Sequence, residues 1–536
     1  MRGRIGFWEA LSIGIGGMVG GGIFAVLGLS IQLSGGAAPL SFLIAGAIAL
    51  TTAYSYARLA LRFPSRGGTI EFLVRGFGNG MLSGTLNLLL LGSYVVMIAL
   101  YAYAFGSYGA TLISDSNTAK HVLAASIVAL FTGVNALGAV VSGRSEDLLV
   151  GVKVAILVLI AGVSFEFVEW DRLGHATWAD PVSVVAGGMI IFLAYEGFEL
   201  IANAAGDVDS PEVLPRAFYA SVGLVIALYV TVAVVTIGTL PFDEIIRARD
   251  YALAMAAEPA LGKAGFLLVT IAALVSTSSA INATLYGTAR ASYVVAKYGQ
   301  LPEAVERRVW RQAYEGLVVI SLLAVLLAST ASLELISTAG SGGFLLVFMF
   351  VNLAAFRLRR SLRINPLAPA LGAAMCLAAL LVLLYRMAHT SPASVGVLGF
   401  MLLGAFTVEL GYRWLRGRRI EEYVDACLCR REECVRGWRE WIERAVRCIE
   451  DIYGDAEVYL VGSLTRGEPH RAGDVDLLVL TRTPPKPTER VSVLREVKRR
   501  AGLGREHVLH LHFARWEEKE EALRRAGRWV RLGRGG

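Results

Sequence analysis

The chain has 536 residues, of which 55% are hydrophobic, and a formal net charge of +7. Its mean hydropathy of +0.57 excludes an ordinary soluble globular protein, because such proteins contain about 45–50% apolar residues. Most of the chain is therefore expected to lie in lipid. The five cysteines do not form a disulfide framework, since four of them fall in a polar C-terminal segment that we place in the reducing cytoplasm.

The hydrophobic segments predict an all-α membrane domain with about twelve spans, each near the roughly 20 residues that a helix needs to cross a bilayer. They lie near residues 7–33, 38–62, 82–112, 121–141, 148–168, 182–205, 216–240, 263–295, 314–330, 333–356, 368–387 and 393–415. The first segment has no signal-peptide cleavage site and is expected to be retained. Arginine and lysine concentrate in alternate loops, which predicts a multi-pass plasma-membrane protein with both termini in the cytoplasm.

The first span contains an unusual run of glycine, since six of the eleven residues from Gly14 to Phe24 are glycine. Glycine in a helix is about 1 kcal/mol less favourable than alanine, so this span is predicted to break. Broken backbone at membrane depth is tolerated where it lines a cavity, and it indicates a transporter's binding site. The alternative is close helix packing through small residues.

The sixth span is interrupted in the same way. Its segment Phe192–Leu200 contains Gly197 between two carboxylates, Glu196 and Glu199. The first and sixth spans hold corresponding positions in two five-span halves. Paired interruptions there predict a five-plus-five inverted repeat with helices 1 and 6 broken.

The composition changes near Arg416, where charged residues replace apolar spans. We predict a membrane domain over 1–415, an amphipathic linker helix over 416–454 and a small cytosolic α/β domain over 455–536. In the last domain, strands are expected at 456–461, 475–480 and 508–513, and helices at 491–500 and 517–528.

Three stretches of the membrane domain resemble the amino acid–polyamine–organocation (APC) superfamily. Gly14–Phe24 is similar to its first-span turn, Phe192–Arg216 to its sixth span and following loop, and Ser276–Pro302 to its eighth span and loop. The resemblance covers roughly residues 5–415 and implies a secondary transporter that works by alternating access.

The resemblance implies a substrate site at the two breaks. Backbone N–H groups at the start of the second half-helix would hold a carboxylate, as helix N-termini hold anions. Carbonyls of both breaks would take an ammonium group, so an amino acid or related amine is the expected substrate. The residues expected to bind it are Ile15, Gly16, Gly20, Gly21, Gly22, Ala194, Tyr195, Glu196, Gly197 and Phe198. For the two aromatic residues, ordinary helix packing is the alternative.

The two carboxylates suggest further roles, because burying an ionised group in lipid costs at least a few kcal/mol. Glu196 stands where the family more often has an apolar residue, and it could recognise a cationic side chain or carry a proton. Glu199 matches an acidic family position. It could brace a gate, or it could form a structural ion pair.

Lys153, near the start of the fifth span, is the expected coupling group. Relatives with a lysine here are thought to use it in place of a sodium ion, and burial makes its deprotonation feasible. A proton is therefore expected as the coupling ion rather than sodium. Alternatively, Lys153 snorkels to the interface, and hydroxyls of the eighth span, including Ser278 and Ser279, form a sodium site or only join helices.

The tail contains a second motif, in which Gly462-Ser463 precedes Arg466 and then Asp474-Val475-Asp476. It resembles the minimal nucleotidyltransferase signature, which implies that Gly462, Ser463 and Arg466 bind a nucleoside triphosphate. Asp474 and Asp476 alternate along a strand, so both could bind Mg²⁺.

The family also uses a third carboxylate on a later strand, and the corresponding segment here offers only His510 and His512. Transferase activity is therefore in doubt, because imidazole is a poor Mg²⁺ ligand. No cofactor is expected in the membrane domain, and no nucleic-acid partner is predicted.

Three functions compete. The favoured one is a transporter with a nucleotide-binding and regulatory tail. The others are a membrane-anchored nucleotidyltransferase and a non-transporting amino-acid sensor. An anchor needs neither broken spans nor an intramembrane glutamate, which favours transport.

Overall fold

The computed structural model describes residues 5–65, 67–114, 116–136, 143–297, 300, 314–416, 438–461, 465, 475–485, 490–503, 509–526 and 529–532. The chain divides into two compact units, Met1–Arg418 and Arg419–Gly536. The first is helical and the second combines helices with one sheet.

Apolar segments of the first unit form helices because a helix satisfies all its backbone groups internally, as lipid requires. In chain order they are α1 (Phe7–Met18), α2 (Gly22–Ser34), α3 (Ala38–Arg62), α4 (Thr69–Phe77), α5 (Met81–Ile113), α6 (Asn117–Ala136), α7 (Gly143–Ser164), α8 (Pro181–Phe192), α9 (Leu200–Asn203), α10 (Val213–Thr239), α11 (Phe242–Arg247), α12 (Ala252–Ala256), α13 (Glu258–Lys297), α14 (Tyr314–Thr330), α15 (Leu333–Arg357), α16 (Arg359–Leu362), α17 (Leu367–Thr390) and α18 (Pro392–Arg416). Short 3₁₀ turns lie at Phe165–Phe167, Trp170–Leu173, His175–Thr177, Glu196–Glu199 and Arg249–Tyr251.

Among the described residues, nine helices are long and apolar enough to cross a membrane, or up to eleven if each of two bent pairs is one span. The pairs are α1 with α2, bent by 47°, and α8 with Glu196–Asn203, bent by 45°. The apolar part of α14 is shorter, covering Leu317–Thr330. A multi-span helical architecture is confirmed, whereas the count of twelve and the inverted repeat stay predictions.

The long helix α5 lies at the centre of the unit and packs against α6, α13 and α15. Beside it, α3 packs against α8 and α10. An aromatic cluster joins these layers, with the ring of Tyr56 5.5 Å from those of Phe198 and Phe348. Phe198, on the second break, is thus part of the packed core.

The outer helices present apolar side chains outward. On α18, Phe400 is 77% exposed, Leu403 65% and Trp414 82%. A large exposed apolar surface marks contact with lipid or another apolar partner. In a unit with this many apolar helices, lipid is the matching environment.

The second unit contains α19 (Trp438–Ile452), β1 (Glu457–Val461), β2 (Val475–Thr481), α20 (Arg490–Arg500), β3 (Leu509–Arg515), α21 (Lys519–Ala526) and β4 (Val530–Leu532). The strand order is β3-β2-β1-β4. Strand β1 runs antiparallel to β2 and β4, and β2 runs parallel to β3. The predicted small α/β fold is therefore present, and β4 is an additional strand.

Helix α19 belongs to this α/β unit. Its Trp441, Ala445 and Ile449 are buried in one cluster with Val458 of β1 and Leu477 of β2. The sequence analysis placed this segment in a linker helix, and in the structure it packs against the sheet. An apolar stripe at helical period shows that a helix has a partner but not which partner. Residues 417–437 of the predicted linker lie outside the described residues.

Candidate functional site

The bend between α1 and α2 leaves backbone carbonyls without partners inside a helix. The Tyr229 hydroxyl, on α10, donates to the Met18 carbonyl oxygen at 2.7 Å. The Ser276 hydroxyl, on α13, donates to the carbonyl oxygens of Val19 and Gly20 at 2.9 and 2.8 Å. Neighbouring helices therefore stabilise the broken backbone, which lipid could not do.

The two breaks touch each other through backbone atoms. A Cβ atom on Gly17 would lie 2.6 Å from the carbonyl oxygen of Gly197, and one on Gly197 would overlap the backbone of Gly17. A Cβ on Gly22 would lie 2.8 Å from the Cα of Ala194. Such approaches require glycine, since any side chain would separate the segments.

All ten residues expected to bind substrate lie on these breaks or the adjoining turns. Ile15 and Gly16 are half-buried, and the buried members are Gly20, Gly21, Gly22, Ala194, Tyr195, Glu196, Gly197 and Phe198. The Ile15 carbonyl accepts the Val19 N–H at 2.7 Å, and the Ala194 carbonyl accepts the Tyr229 hydroxyl at 3.4 Å. Each carbonyl oxygen has a second lone pair with which it could accept an ammonium group.

Tyr101 of α5 lies against the start of α2 and was missed by the sequence analysis. A Cβ on Gly21 would overlap its ring. Tyr94, Tyr101 and Tyr108 are seven residues apart in an apolar span, which places them on one helix face. That spacing is the signal that could have identified the tyrosine face of α5.

Glu199 is buried and accepts hydrogen bonds from three hydroxyls. Thr69 donates at 2.6 Å and Tyr56 at 3.3 Å to one carboxyl oxygen, and Tyr94 donates to the other. These bonds join α3, α4 and α5 to the second break. The partners of this acidic position are hydroxyls, whereas the sequence analysis considered an ion pair.

Glu196 has a contrasting environment in the same turn. It is 1% exposed, and neither of its carboxyl oxygens has a hydrogen-bond partner among the described residues. It interacts electrostatically with Glu199 in its own turn and with Tyr94 and Tyr101 of α5. An unpaired carboxylate at this depth is unfavourable by several kcal/mol.

Lys153 is 1% exposed on α7, and α7 packs against α1. One helical turn before it, Val150 meets the first break, because a Cβ on Gly16 would lie 2.7 Å from a Val150 methyl. Lys153 is therefore buried inside the unit, beside the first broken span. A snorkelling lysine would instead be exposed.

A cavity of about 630 Å³ opens beside the second break, on the side of the unit where the N-terminus lies. Its lining includes Ile5, Thr69, Tyr94, Asp207, Ser278 and Ser279. Thr69 and Tyr94 also bind Glu199, so the cavity reaches the hydroxyl cluster around that carboxyl. Ser278 and Ser279 line this cavity, while the hydroxyl of Ser276 contacts the first break.

The middle of α2 is covered by the turn Arg249–Tyr251. A Cβ on Gly28 would overlap the backbone of Arg249. Asp250 accepts from Lys120 at 2.5 Å and from Tyr103 at 2.9 Å, which ties the turn to α6 and α5. Burial alone would raise the pKa of Asp250, but these donors outweigh it and hold the pKa below its usual range. The unit thus has a cavity beside Ile5 and a packed turn against the middle of α2.

In the tail, Gly462, Ser463, Arg466 and Asp474 lie outside the described residues. Asp476 lies on β2, opposite His510 in the register of the parallel pair β2–β3. The His512 Nε2 atom lies 3.1 Å from a carboxyl oxygen of Asp476. The strand pairing therefore places a histidine beside the aspartate, at the strand where the resemblance implies a third carboxylate.

Magnesium fits this described part of the tail poorly. Mg²⁺ prefers oxygen ligands, and the pair here is one carboxylate and one imidazole. Within the described residues, no group of three metal-ligating side chains occurs. Asp476 could supply one oxygen ligand.

Comparisons with known proteins agree with this two-part organisation. Residues 5–406 match the family profile described as amino acid permease, and residues 442–528 match that described as nucleotidyltransferase domain. An uncharacterised protein of Methanocaldococcus jannaschii is 39% identical over 363 residues, which cover 66% of this chain and 82% of that protein. The inner membrane transport protein YbaT of Escherichia coli is 35% identical over 410 residues, 74% of this chain and 94% of YbaT. The serine/threonine exchanger SteT of Bacillus subtilis is 26% identical over 316 residues, 57% of this chain and 70% of SteT.

Proposed function

This chain belongs to the amino acid permease family of the APC superfamily and carries a C-terminal nucleotidyltransferase domain, and from that premise we propose that it carries amino acids or related amines across the plasma membrane by alternating access. The observation that carries the proposal is the backbone contact between the two broken spans at Gly17 and Gly197. It joins a helix N-terminus suited to a carboxylate with carbonyls suited to an ammonium group.

The cavity supports alternating access. It opens beside the second break, while the turn at Asp250 packs against α2 at Gly28. In our proposal this is one of two alternating conformations. The two termini lie in the cytoplasm, so the cavity faces the cytoplasm, and the sixth to tenth spans repeat the first five in inverted order.

A proton is the proposed coupling ion, and Lys153 is its proposed carrier. Burial beside the first break places this proton-carrying group next to the proposed substrate site. The relative described as an inner membrane transport protein supports transport by this chain, and the one described as a serine/threonine exchanger supports an amino acid substrate.

Uptake into proteoliposomes tests the coupling. Uptake is expected to follow an imposed pH gradient, to persist without sodium and to be lost in Lys153→Ala. The matched control is Lys263→Ala, because Lys263 is exposed at the start of α13. Uptake that needs sodium and survives Lys153→Ala would overturn proton coupling and favour the hydroxyls near Ser278 and Ser279.

The tail is proposed to bind a nucleoside triphosphate and to regulate transport, with little or no turnover. The motif from Gly462 to Asp476 supports nucleotide binding. The His512–Asp476 contact argues against efficient nucleotidyl transfer, since that chemistry depends on accurately placed metal charge.

A further inference from the structure

Glu196 and Glu199 occupy one short turn but differ in how their carboxyl groups are satisfied. Glu199 accepts three hydroxyl hydrogen bonds, whereas both oxygens of Glu196 have no partner among the described residues. Buried polar groups in native proteins are nearly always hydrogen-bonded, so an exception needs an explanation. A ligand that is absent in this conformation provides one.

The position of Glu196 indicates which ligand this is. Gly197, the next residue, contacts Gly17 of the first break. Tyr101, which interacts electrostatically with Glu196, lies against Gly21 at the start of α2. Glu196 therefore lies close to the helix N-terminus proposed to hold the substrate carboxylate.

From this arrangement we propose that Glu196 binds the positively charged side chain of a cationic amino acid, and so makes the site selective for lysine- and arginine-like substrates. The inference rests on the proposed transport function and names its substrate class. The α-carboxylate lies at Gly20–Gly22, the α-ammonium meets the carbonyls of the breaks, and the distal cation meets Glu196. A charged donor satisfies both carboxyl oxygens and forms the stronger, charge-assisted kind of hydrogen bond.

Binding also moves a proton. With no ligand, Glu196 is neutral, because an unpaired carboxylate at this depth is unfavourable. The titratable groups that face it are Glu199 in its own turn and Tyr94 and Tyr101 of α5. An arriving cation stabilises the carboxylate, so the carboxyl proton leaves for solvent as the ion pair forms. One positive charge enters the site and one leaves it.

Calorimetry on the purified full-length protein tests this with ligand pairs of similar shape. Wild-type protein is expected to bind lysine at least tenfold more tightly than norleucine, and arginine at least tenfold more tightly than citrulline. Measured in buffers of different ionisation enthalpy, lysine binding is expected to release about one proton and norleucine binding none. Glu196→Gln is expected to abolish both the preference and the proton release.

A second variant, Glu196→Leu, is expected to bind norleucine more tightly than lysine, and it keeps the test informative if the glutamine variant folds poorly. Equal binding within both ligand pairs by wild-type protein would overturn the selectivity role and leave amino acid transport standing. Failure of wild-type protein to bind any of the four amino acids would overturn the proposed function, and this inference with it.

Discussion

Gly17 and Gly197 allow two broken helices to approach until their backbones touch. A Cβ on Gly197 would overlap the Gly17 backbone, which has no flexible end that could move aside. Forcing an extra group into a packed interior generally destabilises by about 1–3 kcal/mol. The contact therefore depends on glycine at these positions.

Gly197→Ala is expected to lower the melting temperature of the detergent-solubilised protein by several degrees, because the added methyl group separates the breaks. Gly223→Ala is the matched control, since a Cβ on Gly223 of α10 meets nothing within 4 Å. The control is expected to melt at or slightly above the wild-type temperature, as alanine favours helix. Equal melting of the two variants would show that the breaks are not in backbone contact.

The glycine-rich break at Gly14–Phe24 could be predicted from sequence, because helix propensity is a local property. The groups that stabilise it could not. Tyr229 and Ser276 come from helices more than 200 residues away in the chain and satisfy carbonyls of the first break. Which distant hydroxyl meets which carbonyl is decided by helix packing.

Most helices and strands could be predicted from the sequence. Long apolar runs indicate helices that cross lipid, and alternating apolar and polar residues indicate strands of a sheet. The misses have physical causes. Strand β4 is three residues long with Val530 half-exposed, so it carries little alternating pattern. Helix α4 was missed because its nine residues are too few for a membrane span and include two charged residues. These residues, Glu71 and Arg75, form an ion pair at 2.8 Å.

In the tail, Glu457 joins three elements. Its carboxyl accepts from Lys519 of α21 at 2.6 Å, from Tyr459 at 2.8 Å and from Arg531 of β4 at 2.8 Å. Burial alone would raise the pKa of Glu457, but the bonds from Lys519 and Tyr459 and the nearby positive charges outweigh it and lower the pKa. Glu457 therefore stabilises the tail while it is ionised.

The tail is expected to lose stability in acid. A carboxyl whose pKa is lower in the folded state contributes stability that is present above its unfolded pKa of about 4.3 and is lost as the pH falls through the folded pKa. Calorimetry of the full chain should show that the unfolding temperature of the tail falls as the pH is lowered below the unfolded pKa of about 4.3. Glu457→Gln should flatten this dependence, and Glu520→Gln, at an exposed position of α21, should leave it unchanged. A wild-type profile retained in Glu457→Gln would contradict this role.

The chain combines a membrane unit with an α/β unit that carries a separate motif. The double change Asp474→Asn, Asp476→Asn is expected to weaken Mg²⁺-dependent nucleotide binding by the full-length protein at least tenfold in calorimetry. Amino acid binding by the membrane unit should be unchanged. Asp451→Asn, at an exposed site on α19, is the control.

Nucleotide binding that is unaffected by the double change would place the site elsewhere. Rapid nucleotidyl transfer by the wild-type chain would show that a histidine or an unassigned carboxylate completes the metal site.

The sequence indicated a transporter with a nucleotidyltransferase-like tail, because family motifs are short and local. The cavity beside Tyr94 and the closed turn at Asp250 were not predictable. Both arise from contacts among helices distant in the chain.

Uptake of a radiolabelled amino acid into proteoliposomes tests the central claim, that the two breaks form a substrate site. Wild-type protein and Gly223→Leu, at a position with open space, are expected to accumulate substrate under a pH gradient. Gly21→Leu is expected to abolish uptake at equal expression, because its side chain would fill the carboxylate position and overlap Tyr101. Wild-type rates in Gly21→Leu, or no uptake of any amino acid by the wild-type chain, would contradict the claim.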